Sequence, residues 1–358
     1  MVEFSARFAT AQEIVAWDDH VVQNPNGGNL LQSASFADVK SQFGWKPRFL
    51  VLEAEGAAPS FNLVLEKSVP PLGTFWYMIK GPDVGDPSHV VPAMDAVKRM
   101  IREQRLGVFA VKIEPDIVAG EEVAETFAKA GYVKGPDIQP NDHTAILDTT
   151  PDEQPLLRSL HSRGRNAVRR ALREGADAQR VEPTEENFRI MFDLMNQVQD
   201  RNTLRLRPFE YYRRFWQNFV DAGQGRLYFA YEDGKPVVGA FVINYGRKGT
   251  YKDGGSVSRR RQYGDSHQLQ WRAILDLKEE FGITEYDFCG TPPADELKNP
   301  EHRLYGLGLF KTSFTKTVVD FVGAYDVVVD PLRYRAWSTV GEKVARNLWD
   351  RKHRQPFY

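Results

Sequence analysis

Hydrophobic and polar positions in the first part of the chain switch between two periods. FLVLEA, SFNLVLEK and TFWYMIKG are short apolar and aromatic runs set apart by Gly and Pro, which predicts three strands. AMDAVKRMIREQ carries apolar residues at helical spacing, VFAVKIEP reads as a strand again, and EEVAETFAKAG as a helix. The same order then returns. LYFAYE and PVVGAFVINYG flank Asp233-Gly234, a strong hairpin signal, and TYKDGGS follows as a third strand. QLQWRAILDLKEEFG places Leu269, Ala273, Leu277 and Phe281 on one stripe of a helix, and TEYDFCG ends as a strand at the breaker TPP. Two tandem copies of strand meander, helix and strand predict a duplicated, mixed α/β fold. The seam is expected in IQPNDHTAILDTTPDE, rich in Pro, Asn, Asp and Thr.

LLRSLHSRGRNAVRRALREGA breaks this pattern. Six arginines, at 158, 163, 165, 169, 170 and 173, come before its first acid, Glu174. At about 100° per residue, Arg165, Arg169, Arg170 and Arg173 fall on an arc of about 140°. Ala167, Val168, Ala171 and Leu172 take the opposite arc, so one face is predicted to be buried and the other to present guanidinium groups. The guanidinium fork matches phosphate oxygens. A solvated surface helix is the competing reading. Arg259-Arg260-Arg261 and the basic tail from Lys343 to Arg354 add further local positive charge.

Composition narrows the class. The 358 residues are 42% hydrophobic, 27% charged and 12% aromatic, a globular profile. Net charge is −1, so any contact with nucleic acid must come from local patches. Cys289 is the one cysteine, which excludes an intramolecular disulfide and a cysteine zinc cluster. No window approaches the roughly 18 apolar residues of a spanning helix, and MVEFSARFATAQEIVAWDDH has no signal-peptide core. A cytoplasmic location is expected, and attachment to a membrane surface stays open.

Several residue groups are candidates for chemistry. Metal-binding, Walker and Gly-x-Ser-x-Gly patterns are missing. Cys289 reads as a small residue closing a strand more readily than as a nucleophile. Glu114, before Pro115, ends a strand, where α/β folds place cleft residues; a helix cap or a solvated carboxylate is the plain reading. In RLRPFEYYRRFW, Arg207 and Tyr211 lie four apart at the expected start of a helix near Pro208, a suitable anion site. An aromatic core helix with charged flanks is the alternative. Arg261-x-x-Gly264-x-Ser266, between a strand and a helix, resembles weakly the pyrophosphate loop of acetyl-coenzyme A-dependent N-acetyltransferases. In LYGLGLFKTSFTKT, Lys311 sits among Phe310, Phe314 and the glycines at 306 and 308. It reads either as an edge-strand lysine that discourages aggregation or as a cation facing a cleft.

Taken in order, LLQSASFADVKSQFGW, MIKGP, VKIEP, IQPNDHTAILD, SRGRNAVRRALREGA, LRPFEYYRRF, YKDGGS, YDFCG and LGLFKTSF resemble the FemABX family of aminoacyl-tRNA-dependent peptidoglycan aminoacyltransferases. The resemblance runs over most of the chain and implies two tandem N-acetyltransferase-like (GNAT-like) domains. The first is expected over 1–150, completed by 322–358, and binds the muropeptide precursor. The second is expected over 151–321 and carries the tRNA-facing basic helix and the transfer site. Pro183 to Gly225 leaves no room for the helical-hairpin arm of some members, so the chain is similar to the arm-less FemX type. That type acts on a nucleotide-linked muropeptide in its best-known form, and armed relatives act on a lipid-linked one.

The resemblance also implies roles. Lys40 and Arg207 match positions that bind the precursor's diphosphate, and Tyr211 matches a tyrosine of that site. Lys311, with Phe310, matches the aminoacyl-transfer site. Glu114 stands where the family has an Asp-Pro carboxylate near the acceptor. Tyr251-Lys252-Asp253-Gly254-Gly255-Ser256 departs from the family's Tyr-x-Tyr-x-Gly-Ser, leaving Tyr251 and Asp253 as precursor contacts in which an acid replaces an aromatic. Arg165, Arg169 and Arg173 are then expected to hold the tRNA. The expected partners are aminoacyl-tRNA as co-substrate and a UDP-linked or lipid-linked muropeptide precursor, with no cofactor, no metal and a monomeric chain. The implied reaction moves an amino acid to the side-chain amine of a stem peptide. The ester is already activated, so the site must align a neutral amine and stabilise the developing oxyanion. Three alternatives stand beside it: an acetyl-coenzyme A-dependent N-acyltransferase, tRNA-dependent amide formation on a small peptide natural product, and an RNA-binding protein with no chemistry.

Overall fold

The computed structural model describes residues 2–136, 138–139, 142–202, 206–353 and 355–358. It divides into two units, Met1–Gln139 with Phe321–Tyr358, and Pro140–Asp320. Each holds a seven-stranded sheet.

The first sheet comprises β1 (Phe4–Phe8), β2 (Lys46–Ala54), β3 (Ser60–Val69), β4 (Gly73–Met78), β5 (Val108–Ile113), β6 (Val133–Lys134) and β14 (Tyr325–Val328), in the order β1-β2-β3-β4-β5-β14-β6. Only β4 and β5 are parallel among its paired neighbours. A parallel pair needs a crossover, and helix Val90–Glu103 supplies it. Its apolar face, with Ala93, Met94, Val97 and Ile101, is buried in a core shared with Trp76, Val111 and Val327. The segment after Phe321 returns to this unit, as β14 seats itself against β5 and β6. Lys67 becomes a buried clamp for that segment. Its ammonium lies 4.0, 3.7 and 4.1 Å from the rings of Trp45, Trp349 and Phe357 and donates to Phe357 O at 2.8 Å.

The second sheet comprises β7 (His143–Asp148), β8 (Asp177–Val181), β9 (Gly225–Glu232), β10 (Lys235–Tyr245), β11 (Lys248–Ser256), β12 (Glu285–Gly290) and β13 (Val318–Asp320), in the order β13-β7-β12-β11-β10-β9-β8. It repeats the plan of the first. β9, β10 and β11 form the meander, helix Asp265–Phe281 crosses over, and β12 pairs parallel to β11. Leu269, Ala273 and Leu277 are fully buried as the stripe predicts, while Phe281 at the last turn is half-exposed. The seam falls at Gln139/Pro140 rather than at 150, because β7 hydrogen-bonds between β12 and β13 and so belongs to the second sheet. Helices Glu185–Asn202 and Phe209–Asp221 occupy the interval where an arm would sit, with only residues 203–208 between them. Gly255 permits close seating of helix Glu185–Asn202 on β11. A Cβ there would lie 2.4 Å from Leu194 C and Met195 N, so a larger residue would push the helix off the strand.

Candidate active site

The chemistry-bearing residues of the second unit gather where its parallel pair comes apart. β11 and β12 are paired at Lys248–Glu285, Gly249–Tyr286 and Thr250–Asp287 and no further. Beyond that point Tyr251, Lys252 and Asp253 continue on one strand and Phe288, Cys289 and Gly290 on the other. This is the carboxyl end of two parallel strands, where open α/β sheets accept ligands.

Both strands are irregular here. β11 carries one extra residue, Lys252, between the partners of Phe241 and Val242. Neighbouring strand residues ordinarily face opposite sides. The bulge overrides this, so Lys252 and Asp253 both reach helix Phe209–Asp221. Lys252 Nζ lies 4.7 Å from the Phe215 ring, and Trp216 Nε1 donates to Asp253 Oδ2 at 2.9 Å. Lys252 donates to the other Asp253 oxygen at 3.0 Å. Desolvation alone would lower the Lys252 ammonium, but Asp253, Tyr212 and Tyr211 outweigh it and hold the pKa above the ordinary lysine range. Asp253 is therefore an acid with both oxygens engaged rather than an open acidic contact. Burial and Asp253 push the Tyr212 phenol up to about 12. Burial followed by Asp253 likewise raises Tyr251, whose ring packs at the edge of the core.

On β12, Cys289 has φ +58°, and its N–H donates to Asp287 Oδ1 at 2.6 Å. Thr144 Oγ1 donates to the same oxygen. Desolvation and then Asp287 push the Cys289 thiol up, so it is un-ionised at neutral pH and a poor nucleophile. Lys311 approaches from outside the sheet. It is the last residue of helix Tyr305–Lys311, not part of an edge strand, and it is 8% exposed. Its Nζ donates to Gly290 O at 2.8 Å. Burial lowers its pKa, and Cys289 and Asp287 oppose the shift. Of the two glycines, Gly308 serves packing: a Cβ there would meet Pro292 Cδ at 2.5 Å.

Phe310 sits edge-on to His267 at 4.9 Å and to Phe314 at 5.5 Å. His267 also stacks on Phe314, and its Nε2 lies 3.1 Å from Ser313 Oγ. The Ser313 hydroxyl is spent on Phe310 O at 2.5 Å, which assigns the proton to His267 Nε2 as donor. Burial, then Arg163 and Arg260, lowers His267 to about 4, so it is neutral near pH 7. The sequence pattern offered no signal for His267, because its partners lie 43 to 47 positions later.

At the start of helix Phe209–Asp221, Arg207 lies over the Tyr211 ring with Cζ 4.6 Å from its centre, the proximity their spacing predicts. Helix Ser162–Arg173 buries Gly164, Ala167, Val168 and Ala171. Leu172, expected on that face, is 51% exposed. Arg169 and Arg173 are exposed, whereas Arg165 turns inward and donates to Arg158 O at 3.0 Å and Leu160 O at 3.2 Å, closing the end of the preceding helix. The arginine arc therefore divides into surface cations and a structural cap.

The Arg261-to-Ser266 loop is already filled by the chain's own acids. The N–H groups of Arg261 and Gln262 both donate to Glu232 Oε1 at 2.8 Å. Asp265 takes the helix start, accepting from Ser266 N at 2.5 Å and pairing with Arg260 at 2.8 Å.

The first unit holds Lys40 and Glu114. Lys40 is buried on helix Ala34–Gln42 with Nζ 5.4 Å from the Phe36 ring. Glu114, directly after β5, is 1% exposed. Tyr77 Oη donates to its Oε2, Gln139 N to its Oε1 at 3.2 Å, and Gln139 Nε2 to Tyr77 Oη at 3.2 Å. Burial raises its carboxyl, and Lys80, Tyr77 and Gln139 oppose the shift. Lys80 is itself buried, with φ +51° and Nζ 3.1 Å from Asp116 Oδ1. Among the described residues no group of three His, Cys, Asp or Glu side chains forms a metal site, and no helix is long and apolar enough to cross a membrane.

A model described as an acetyltransferase (GNAT) domain matches residues 162–299. Two curated relatives match far more. A lipid II:glycine glycyltransferase of Staphylococcus epidermidis is 24% identical over 405 aligned positions, covering 92% of this chain and 94% of the relative. One from Staphylococcus aureus is 23% identical over 408 positions with the same coverage. The crystal structure of FemX superposes with a TM-score of 0.78 at 22% identity, over 94% of this chain and 100% of FemX. The chain is a homologue of these glycyltransferases with the fold of FemX. The FemABX resemblance read from its motifs is borne out, together with the mixed α/β, GNAT-like architecture and the assignment as an aminoacyltransferase. The alignments run longer than the chain's own 358 residues, so the glycyltransferases carry insertions that this FemX-like chain lacks.

Proposed function

We propose that the chain moves an aminoacyl group from aminoacyl-tRNA to the side-chain amine of a peptidoglycan precursor's stem peptide, building an interpeptide bridge. The observation that carries this reading is the buried lysine at the strand splay. Lys311 is anchored on Gly290 O where β11 and β12 part, in a desolvated setting beside the un-ionised Cys289 thiol. A cation held there favours the oxyanion that forms as an amine attacks the ester carbonyl, and a low-dielectric surround strengthens it. The new amide C–N bond replaces the ester C–O bond, the amine gives up a proton and the tRNA ribose oxygen gains one. Glu114, buried in the first unit with its two oxygens held by Tyr77 and Gln139, is given no part in this step. Arg207, Tyr211 and Tyr251 are the proposed precursor contacts of the second unit. Arg169 and Arg173 are the proposed phosphate contacts for the tRNA. The names of the curated relatives favour a lipid-linked acceptor and glycine as the transferred group.

The reading that uses acetyl-coenzyme A has an observation against it. A pyrophosphate at the Arg261-to-Ser266 loop would have to displace Glu232 and Asp265 from their amide and arginine partners. The test is incubation of the purified chain with a mixture of charged tRNAs and, separately, lipid-linked or UDP-linked muropentapeptide, with mass spectrometry of the product. The expected result is a gain of one or more aminoacyl residues on the lipid-linked precursor. Absence of product with every charged tRNA, or acetylation from acetyl-coenzyme A, overturns the proposal.

A further inference from the structure

The last helical segment of the chain has a surface that aminoacyl transfer does not use. It runs through helix Pro331–Ala336, a π-helical turn Trp337–Gly341 and helix Glu342–His353. Two tryptophans fasten its inner side to the first unit. Trp337 is fully buried against Phe75 and Phe109, and Trp349 lies against Lys67 and presses on Gly44, where a Cβ would come within 2.2 Å of its ring. The outer side is then left with a row of aliphatic residues. Leu332 is 84% exposed, Val340 61%, Val344 46% and Leu348 60%. The last three repeat every fourth position and share one face of the helix.

The charges around this row have one sign. Every exposed charged residue between Pro331 and His353 is basic: Arg333, Arg335, Lys343, Arg346, Arg351 and Lys352. The two acids of the final helix, Glu342 and Asp350, are half-buried, and Glu342 accepts from Tyr358 Oη at 2.8 Å and lies 3.9 Å from Arg346. At helical spacing Lys343, Arg351 and Lys352 fall around the aliphatic row. Exposed aliphatics ringed by cations are the profile of a helix that lies in a membrane interface, with its apolar side among acyl chains and its cations at headgroup phosphates.

Two other occupants fit less well. A nucleic acid would take the cations and leave the aliphatic row without a partner. A second copy of the chain in a symmetric pair would cover the row but bring like charges against like. We propose that this face docks the chain on an anionic lipid surface. The inference rests on the proposed lipid-linked acceptor for its purpose, since an enzyme using such an acceptor must work within reach of the bilayer. The docking itself can be measured without any precursor.

The experiment is co-sedimentation of the full chain with vesicles of phosphatidylcholine plus phosphatidylglycerol, and with vesicles of phosphatidylcholine alone. Binding to the anionic vesicles that weakens with salt is expected, with far less on the neutral ones. Each cation near an anionic surface contributes about fivefold in affinity, so Lys343→Gln/Arg351→Gln/Lys352→Gln should lose about a hundredfold. Val344→Ser/Leu348→Ser should also release the chain, and neither variant should change its melting temperature or its transfer to lipid-linked muropentapeptide dispersed in detergent. Absence of binding to anionic vesicles overturns the proposal. So does binding that survives both variants, or a dimer in sedimentation that the serine variant dissolves. If vesicles bind as expected and no precursor is modified, the transferase reading fails and the docking face stands.

Discussion

Lys311→Met separates a lysine kept for chemistry from one kept for folding. Methionine preserves the unbranched stem and removes the charge. Two opposing contributions set the stability change. The charge-assisted hydrogen bond to Gly290 O, at 2.8 Å, contributes about 1.5–3 kcal/mol. Against it stands the desolvation of an ammonium on a residue only 8% exposed, which costs several kcal/mol. These nearly cancel, and the lowered pKa of the amine points the same way. The variant should melt within about 4 °C of the parent. Catalysis should behave differently. A preorganised donor aimed at developing charge contributes about 2.7–4 kcal/mol to the transition state, so kcat should fall by about 10²–10³. The assay is labelled aminoacyl transfer at saturating charged tRNA and precursor, with thermal melts on the same preparations. A kcat within about threefold of the parent refutes the electrostatic role. Inactivity accompanied by a melting temperature about 8 °C or more lower assigns the residue to folding instead.

Two further outcomes follow from the geometry. Arg169→Gln/Arg173→Gln should flatten the dependence of log KM for charged tRNA on log salt by about 2, one per lost phosphate contact; Arg165→Gln should instead lower the melting temperature, because its guanidinium holds main-chain carbonyls. An unchanged salt slope in the double variant removes the basic helix from the tRNA site. Burial raises the Glu114 carboxyl pKa, so the folded chain binds that proton more tightly than the unfolded chain does. Its contribution is complete below the ordinary glutamate value and is lost as pH rises through the raised one. Between about pH 4 and pH 8, the urea midpoint of Glu114→Gln should therefore fall less steeply than that of the parent; parallel curves would contradict the assignment.

Local pattern alone determined a good deal of this protein. Alternation and helical spacing marked both copies of meander, crossover helix and strand, because burial on one face imposes a period that survives in any context. The Leu269, Ala273 and Leu277 stripe followed from the 3.6-residue turn, and the Arg207–Tyr211 contact from the helix start at Phe209. Other features depended on partners far away in the chain. β7 joined the second sheet because its hydrogen bonds were filled by β12, 137 to 146 positions later, and β13, 173 to 177 positions later, and no local signal sets that choice. Arg165 looks like its neighbours in composition, yet the carbonyl ends of the preceding helix turned it from surface cation to cap. The bulge at Lys252 put two consecutive side chains on one side of a strand, which alternation forbids. Lys311 was legible as a residue out of place, but its burial and its grip on Gly290 O exist only once a helix 21 positions away folds against the parted strands. Short-range sterics and apolar periodicity write the elements into the chain; the environment of each charge is set by whichever distant groups the packed fold delivers to it.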